Sequence, residues 1–442
     1  MGDLALSPPR TTVPNGELTE PARCGCNAVI SCGASQSLTP NTACHALESA
    51  AAAPPPCPRG FKGRGIVIPG GGRRYFSSAW VCINILRDLG CTLPIELWHL
   101  GDAEMDEEMR TLIEPLGVRC VNAHEQQLRC PMHKLGGWEL KAYAMVHSQF
   151  QELIFLDADN VPVIDPTFLF ESAEYRQRGA IFWPDGGRFA ADDPIWKLTG
   201  IPFRDEPEVE SGQAVIDKAR CWKPLLLALW MNNHSDFWYQ YIYGDKDTFH
   251  LAWRKLGIEY AMPAHGLHGM AYALRQHDFQ GRPLFQHRYG DKFDVNCLAC
   301  QDDVFVHEQA CMHHLRRLRK LWTTRPDAAL GGLYLNEKLQ GVARLLCGST
   351  WGCRLLDPLP PKLFRFRGAL DGALRFGVDG TIECEGGSTL SYWNLHVAQL
   401  NSILVVAGED GVVSRLICDG TSRWLGRVNC TEPVRLELVA RK

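Results

Sequence analysis

The 442-residue chain has no long apolar run, no excess of basic charge and no obvious cysteine framework, and each absence excludes a class of function. A membrane-crossing helix needs roughly 18 consecutive apolar residues. The best candidate, Leu225-Leu226-Leu227-Ala228-Leu229-Trp230-Met231, is far shorter and is flanked by Lys223 and Asn232. Met1 to Arg10 carries an early acid, Asp3, and no apolar stretch, so no secretory signal is expected there. A formal net charge of -4 leaves no electrostatic footprint for nucleic acid. The 18 cysteines are scattered, and Cys82 and Cys221 fall within apolar runs, where a small buried thiol is the usual occupant. Cys24, Cys26, Cys32, Cys44 and Cys57 crowd the N-terminal segment without repeating a known zinc spacing; a labile metal site and no function both stay open for them. No repeat occurs at solenoid spacing. These absences lead to an expectation of reduced thiols and a cytoplasmic placement without a transmembrane segment, the Golgi lumen being the weaker alternative.

What is present suits a large folded core, since 45% of residues are hydrophobic. Residues 1–60 are rich in Ser, Thr, Pro, Ala and Gly and end in Ala51-Ala52-Ala53-Pro54-Pro55-Pro56, so they are expected to form a disordered leader. Over 61–345 apolar strand-like runs alternate with helical patterns. Gly65-Ile66-Val67-Ile68-Pro69 is followed by a helical pattern from Ser77 to Leu89, then Pro94 to Leu100 as a strand, an acidic helix near Ala103 to Leu116, and Val118 to Val121 as a strand. A helix over about Trp138 to Phe150 precedes Glu152-Leu153-Ile154-Phe155-Leu156, a near-continuous apolar run that suits a central strand covered on both faces. Alternation of this kind predicts an α/β fold with a mostly parallel sheet and helices on both faces. Residues 346–442 change texture. Short β-like runs at Leu363 to Phe366, Val378 to Thr381, Ile403 to Val406 and Arg435 to Val439, with turn pairs at Asp379-Gly380 and Asp410-Gly411, predict a C-terminal all-β module.

The central strand runs into Asp157-Ala158-Asp159-Asn160. In open α/β sheets ligands sit outside the carboxyl ends of strands, so both carboxylates fall where a site is expected. Such like charges would repel, and a shared hard cation, Mn²⁺ or Mg²⁺, resolves the conflict. An ion of that kind completes its shell with substrate phosphates, which points to a phosphorylated substrate.

The run Gly137-Trp138-Glu139-Leu140-Lys141-Ala142, then Phe155-Leu156-Asp157-Ala158-Asp159-Asn160-Val161-Pro162, Asp165-Pro166 and Leu169-Phe170, resembles the fungal Golgi α-mannosyltransferases, including the α-1,3-mannosyltransferase type. The resemblance covers roughly residues 62 to 300. It implies a GT-A, Rossmann-like fold and transfer of a hexose, mannose favoured, from a nucleotide-sugar donor to a glycan or other hydroxyl acceptor. GDP-mannose is the favoured donor and a UDP-hexose the alternative, with Mn²⁺ and retention of anomeric configuration. By the same resemblance Lys141 and Lys292 lie near the donor diphosphate, Asp157 and Asp159 hold the ion, and His287 of His287-Arg288-Tyr289-Gly290 is its third ligand. Glu210 of Glu210-Ser211-Gly212-Gln213, read as a loop entering a strand, faces the acceptor sugar, as does Asp245 or Asp247, a pair whose competing role is to cap the following helix. Trp138, Trp183, Trp238 and Trp253 are candidates for a sugar-stacking platform, although most such residues are core. Two other readings compete: a haloacid dehalogenase-type phosphohydrolase, because Asp157-Ala158-Asp159-Asn160-Val161 also fits its signature, and a non-catalytic carbohydrate-binding protein on a degenerate transferase core.

Overall fold

The computed structural model describes residues 38–270, 273–290, 292–295, 305–323 and 346–355, together with strands at 373–376, 382–384, 392–398, 401–407, 413–418, 423–429 and 434–441. The main domain is an α/β sandwich. Its central sheet is built from β1 (Arg64–Pro69), β2 (Ile95–His99), β3 (Val118–Asn122), β4 (Glu152–Leu156), β6 (Ala180–Pro184) and β7 (Val209–Asp217) in the order β3-β2-β1-β4-β7-β6. The first four are parallel; β7 runs antiparallel to both β4 and β6. A second, antiparallel sheet of order β5-β10-β9-β8 combines β5 (Asn160–Pro162), β8 (His268–Met270), β9 (Ala273–His277) and β10 (Pro283–His287).

The apolar run of β4 reads both ways because it is buried on both sides. Leu153 and Phe155 enter one core with α5 (Glu139–His147), α8 (Lys218–Asn233) and α9 (Lys246–Lys255). Ile154 and Leu156 enter the other with α2 (Gly72–Asp88) and α10 (Glu308–Leu321). Alternation across a strand thus feeds two hydrophobic layers from one five-residue segment. Shorter helices α3 (Glu107–Ile113), α4 (Ala123–Arg129), α6 (Ala173–Arg178) and α7 (Pro194–Thr199) fill the crossovers. The α/β architecture with a mostly parallel sheet and helices on both faces, expected from the alternation, is the one observed.

The N-terminal expectation needs correcting in part. Residues 1–37 lie outside the described residues, but Ala43–Ala52 forms helix α1, with Ala43 and Leu47 fully buried in the first core. Composition misled here because alanine, counted as low complexity, is also the best helix former. The chain after α1 is tied down as well: Pro55 O accepts from Trp222 Nε1 at 3.1 Å, and the Phe61 ring lies 3.3 Å from the Lys218 ammonium. Lys218 is itself fully buried and donates to Val146 O and Ser148 O.

In the C-terminal region, strands β11 (Thr350–Leu355), β12 (Ala373–Phe376), β13 (Ile382–Cys384), β14 (Tyr392–Ala398), β15 (Asn401–Ala407), β16 (Val413–Cys418), β17 (Arg423–Asn429) and β18 (Val434–Arg441) form one antiparallel sheet of order β13-β12-β11-β18-β17-β16-β15-β14. β15 and β16 pair antiparallel, and Leu416, Trp424 and Leu438 are buried. The described strands of this region are antiparallel β, as expected from 346 onward, while the runs at 363–366 and 378–381 and the turn pairs at 379–380 and 410–411 lie outside the described residues.

Candidate active site

Asp157 is the first residue beyond β4. Its N–H donates to Gly212 O at 2.8 Å, which holds it against β7, and Asn160 N donates to Asp157 O at 3.0 Å, closing a turn that sends the chain into β5. β5 then pairs with β10 so that Asn160 lies opposite His287. That register decides the site, because a slip of one residue would carry the imidazole to the other face of the strand. His287 Nε2 comes to 3.5 Å from Asp157 Oδ2 and 3.4 Å from Asp159 Oδ1. One ligand atom from each of Asp157, Asp159 and His287 lies within 4.8 Å of the others, and no second group of this kind occurs among the described residues.

Two lysines flank the carboxylates. Lys141, one helix before β4, donates to Asp157 Oδ2 at 2.7 Å and to Ser211 Oγ at 3.3 Å, and stands 3.7 Å from Asp245 Oδ1. Burial opposes its charge, but Asp157 and then Asp245 outweigh that and hold the ammonium well above the usual lysine range. Lys292 makes a close ion pair with Asp159 and lies 5.3 Å from the Tyr75 ring centroid.

Glu210 sits inside β7, which begins at Val209, so the Glu210 to Gln213 segment is strand and not the expected loop. The reason is pairing on both sides: Gln213 is registered with Leu156 of β4, and Glu210 with Trp183 of β6 across an irregularity in that ladder. Both Glu210 oxygens are engaged within the fold. Oε1 accepts from Gly212 N at 2.8 Å and meets His287 Nδ1 at 2.9 Å, and Oε2 accepts from Gln213 Nε2 at 2.5 Å. Burial works against imidazolium formation, yet the Glu210 carboxylate outweighs it and raises His287 above the ordinary imidazole range. The residue between them has to be glycine: a Cβ on Gly212 would stand 2.5 Å from His287 Nδ1 and 2.7 Å from Glu210 Oε1.

Asp245 caps no helix. It precedes α9, yet its side chain accepts no capping hydrogen bond; Oδ1 faces Lys141, while Oδ2 is buried without a hydrogen-bond partner among the described residues. Burial, countered in part by Lys141, pushes its carboxyl up to about 6. Asp247 is engaged elsewhere. Its Oδ2 lies 3.5 Å from Lys246 Nζ, which also binds Glu208 closely and Asp185 Oδ2 at 2.8 Å. Burial pushes the Asp247 carboxyl up to about 8 against the pull of Lys246. The structure thus brings Asp157, Asp159, His287, Glu210, Lys141, Lys292 and Asp245 into one contact network and gives Asp247 to a second. Sequence reasoning did not single out Asp185, although it follows the apolar strand β6 as Asp157 follows β4, and that strand-end signal was available. Nor did it assign a role to Asn160, whose Nδ2 donates to Gly212 O at 2.8 Å and Gln213 Oε1 at 2.5 Å. Of the four candidate tryptophans, Trp183, Trp238 and Trp253 are fully buried, whereas Trp138 is 47% exposed.

Residues 63–195 and 203–288 match the model of a family described as mannosyltransferase, a span that contains every site residue above except Lys292. The match supports a fungal-type mannosyltransferase family. Among curated relatives, it is 29% identical over 285 residues to alpha-1,2-mannosyltransferase MNN5 of Saccharomyces cerevisiae, covering 51% of this chain and 48% of that one. It is 28% identical over 281 residues to MNN2 of the same organism, covering 50% and 47%. Against MNN24 of Candida albicans it is 27% identical over 241 residues, covering 45% and 34%. The chain thus spans about half the length, or less, of the relatives it matches, and these are named for α-1,2 and not α-1,3 transfer. Among solved structures it is similar to the galactosyltransferase LgtC, with 13% identity over 46% of this chain and 73% of that one and a TM-score of 0.32; the fold assignment rests on the strand order instead. The phosphohydrolase alternative finds no support in these matches.

The cytoplasmic placement is corrected as well: the relatives that this chain matches are fungal alpha-1,2-mannosyltransferases, which conflicts with that expectation. The expectation failed because it rested on absences: no apolar stretch in Met1 to Arg10, no run long enough to cross a membrane and no cysteine framework. Among the described residues no helix is long and apolar enough to cross a membrane, and cysteines such as Cys82 and Cys221 are free and buried. Neither feature specifies a compartment.

Proposed function

We propose that the chain is a divalent-metal-dependent glycosyltransferase that moves a hexose, mannose favoured, from a nucleotide-sugar donor to a glycan or other hydroxyl acceptor with retention of configuration. GDP-mannose is the favoured donor and a UDP-hexose the alternative. The observation that carries this reading is the convergence of Asp157, Asp159 and His287 at the carboxyl edge of the central sheet. The donor set fits a divalent ion: two hard carboxylates suit Mn²⁺ and Mg²⁺ alike, and an imidazole on the same side shifts the preference to Mn²⁺. When bound, such an ion neutralises charge developing on a departing diphosphate.

The protein's own groups divide the remaining work. Asp157, Asp159 and His287 hold the ion, and Glu210 fixes the imidazole so that Nε2, not Nδ1, faces it, the carboxylate–histidine arrangement common around metals. Lys141 pairs with Asp157 and Lys292 with Asp159. Beside an ion held there, both ammonium groups would be placed to receive diphosphate oxygens. Asp245, beyond Lys141, serves the acceptor side.

Mn²⁺-stimulated release of nucleoside diphosphate, with a thermal-shift screen of GDP- and UDP-sugars, tests the reading, since a ligand that binds only the native state raises its melting point. Asp157→Asn and Asp159→Asn are expected to abolish turnover with the fold intact. Near-normal rates in either variant, or glycan affinity indifferent to metal and to both substitutions, would refute it in favour of a non-catalytic binding protein.

A further inference from the structure

Beside the ion site two large aromatic side chains stand in solvent: Trp138 is 47% exposed and Tyr243 is 76% exposed. Their ring centroids are 5.8 Å apart with planes at 41°, so the rings form an open angle, not a stacked pair. Tyr239 closes the base at 6.1 Å from Trp138 and is anchored by its hydroxyl, which donates to Asn232 Oδ1 at 2.5 Å. The indole is seated on the turn that leads to Asp245. Gly244 has φ +68, and a Cβ on it would meet Trp138 Cε3 at 2.7 Å, so only glycine lets the backbone lie this close to the ring. Two aromatics held in this way are a built surface.

The platform shares a wall with the ion site. Lys141 N donates to Trp138 O at 3.1 Å, which places the lysine one helical turn from the indole, and Asp245, the residue after Gly244, has Oδ1 3.7 Å from Lys141 Nζ. Asp245 is 3% exposed; Lys141 and Ser211 favour its ionised form, while its Oδ2 makes no hydrogen bond among the described residues. A buried acceptor left unpaired is costly, so this oxygen calls for a donor from outside.

Resting on the transferase reading above, we infer that Trp138 and Tyr243 form the subsite that holds the acceptor's terminal hexopyranose, with a ring hydroxyl directed to Asp245. A pyranose has an apolar C–H face and a polar rim. Stacking that face on the two rings removes apolar surface from water while the hydroxyls stay hydrated or reach a carboxylate. A folded protein is a poorer occupant, because a stable interface buries about 800 Å² on each partner and two side chains fall well short of that.

Methyl α-D-mannopyranoside and an α-linked mannobiose serve as probes in saturation-transfer NMR, alongside steady-state transfer from GDP-mannose with Mn²⁺. Wild type is expected to show enhancement of the sugar ring protons, lost in the Trp138→Ala/Tyr243→Ala double variant. In the transfer assay that variant should raise the acceptor KM about tenfold or more, with the donor KM unmoved, and Trp138→Phe and Tyr243→Phe should restore most of the affinity. Equal sugar signals in wild type and the double variant, no signal in wild type at millimolar sugar, or an unmoved acceptor KM would each overturn the inference. A wild type that binds mannosides but neither binds nor cleaves GDP-mannose overturns the transferase reading alone, because the NMR measurement does not depend on turnover. Unchanged melting temperature and circular dichroism of the variants exclude misfolding as the cause.

Discussion

Replacing Glu210 by glutamine separates a positioning role from a substrate-contacting one. In the native arrangement Oε1 meets His287 Nδ1 and Gly212 N at 2.9 and 2.8 Å, and Oε2 accepts from Gln213 Nε2 at 2.5 Å. Glutamine can keep its oxygen toward His287 and Gly212, but its amide nitrogen then faces Gln213 Nε2, donor against donor. Turning Gln213 over relieves that clash only by removing its Oε1 from Asn160 Nδ2, now 2.5 Å away. The variant therefore loses one hydrogen bond of a buried network and the negative charge behind the imidazole, and His287 becomes a weaker, less oriented ligand. Loss of such an outer partner typically lowers metal affinity about 10- to 100-fold, or roughly 1.4 to 2.7 kcal/mol. Mn²⁺ titration by electron paramagnetic resonance, run at pH 8 to limit proton competition at the imidazole, reads that shift directly. At saturating Mn²⁺ most of the turnover should return. A variant with unaltered Mn²⁺ affinity and no turnover would refute the positioning role and return Glu210 to direct contact with the substrate.

Further substitutions test the same geometry. Gly212→Ala forces a methyl group into the space between His287 and Glu210 and is expected to cost about 1 to 3 kcal/mol by overpacking, visible as a lower melting temperature together with weaker Mn²⁺ binding; a variant of native stability and metal affinity would show that the local backbone yields. Asp247 offers a pH test. Its folded-state pKa of about 8 lies above the ordinary aspartate value, so the native state binds the extra proton and stability from this group falls as pH rises toward 8. Asp247→Asn removes that slope, so its melting temperature should gain on wild type progressively between pH 5 and about pH 8; parallel curves would mean that Asp247 is ionised in the fold throughout.

Features that depend on local pattern were legible in the residues alone. The alternation of β-like and helical runs specified the α/β layers, the continuous apolar run of β4 specified a strand buried on both sides, and the pair Asp157 and Asp159 stood where that strand had to end. Those features are legible because side-chain periodicity and burial act over a few neighbouring residues. Tertiary structure alone decided the rest. His287 reaches the aspartates because β10 pairs with β5 in one register over a separation of more than 120 residues. Glu210 is drawn into strand β7 and spends both oxygens on the fold because β4 and β6 flank it. Asp245 and Asp247, two residues apart, face different cations because their side chains point to different sides of the start of α9. Trp138 is exposed while Trp183, Trp238 and Trp253 are core, although composition treats all four alike. Pairing between distant strands and the choice of which face is covered are set by the free energy of the whole packed domain, and no short window of sequence contains it.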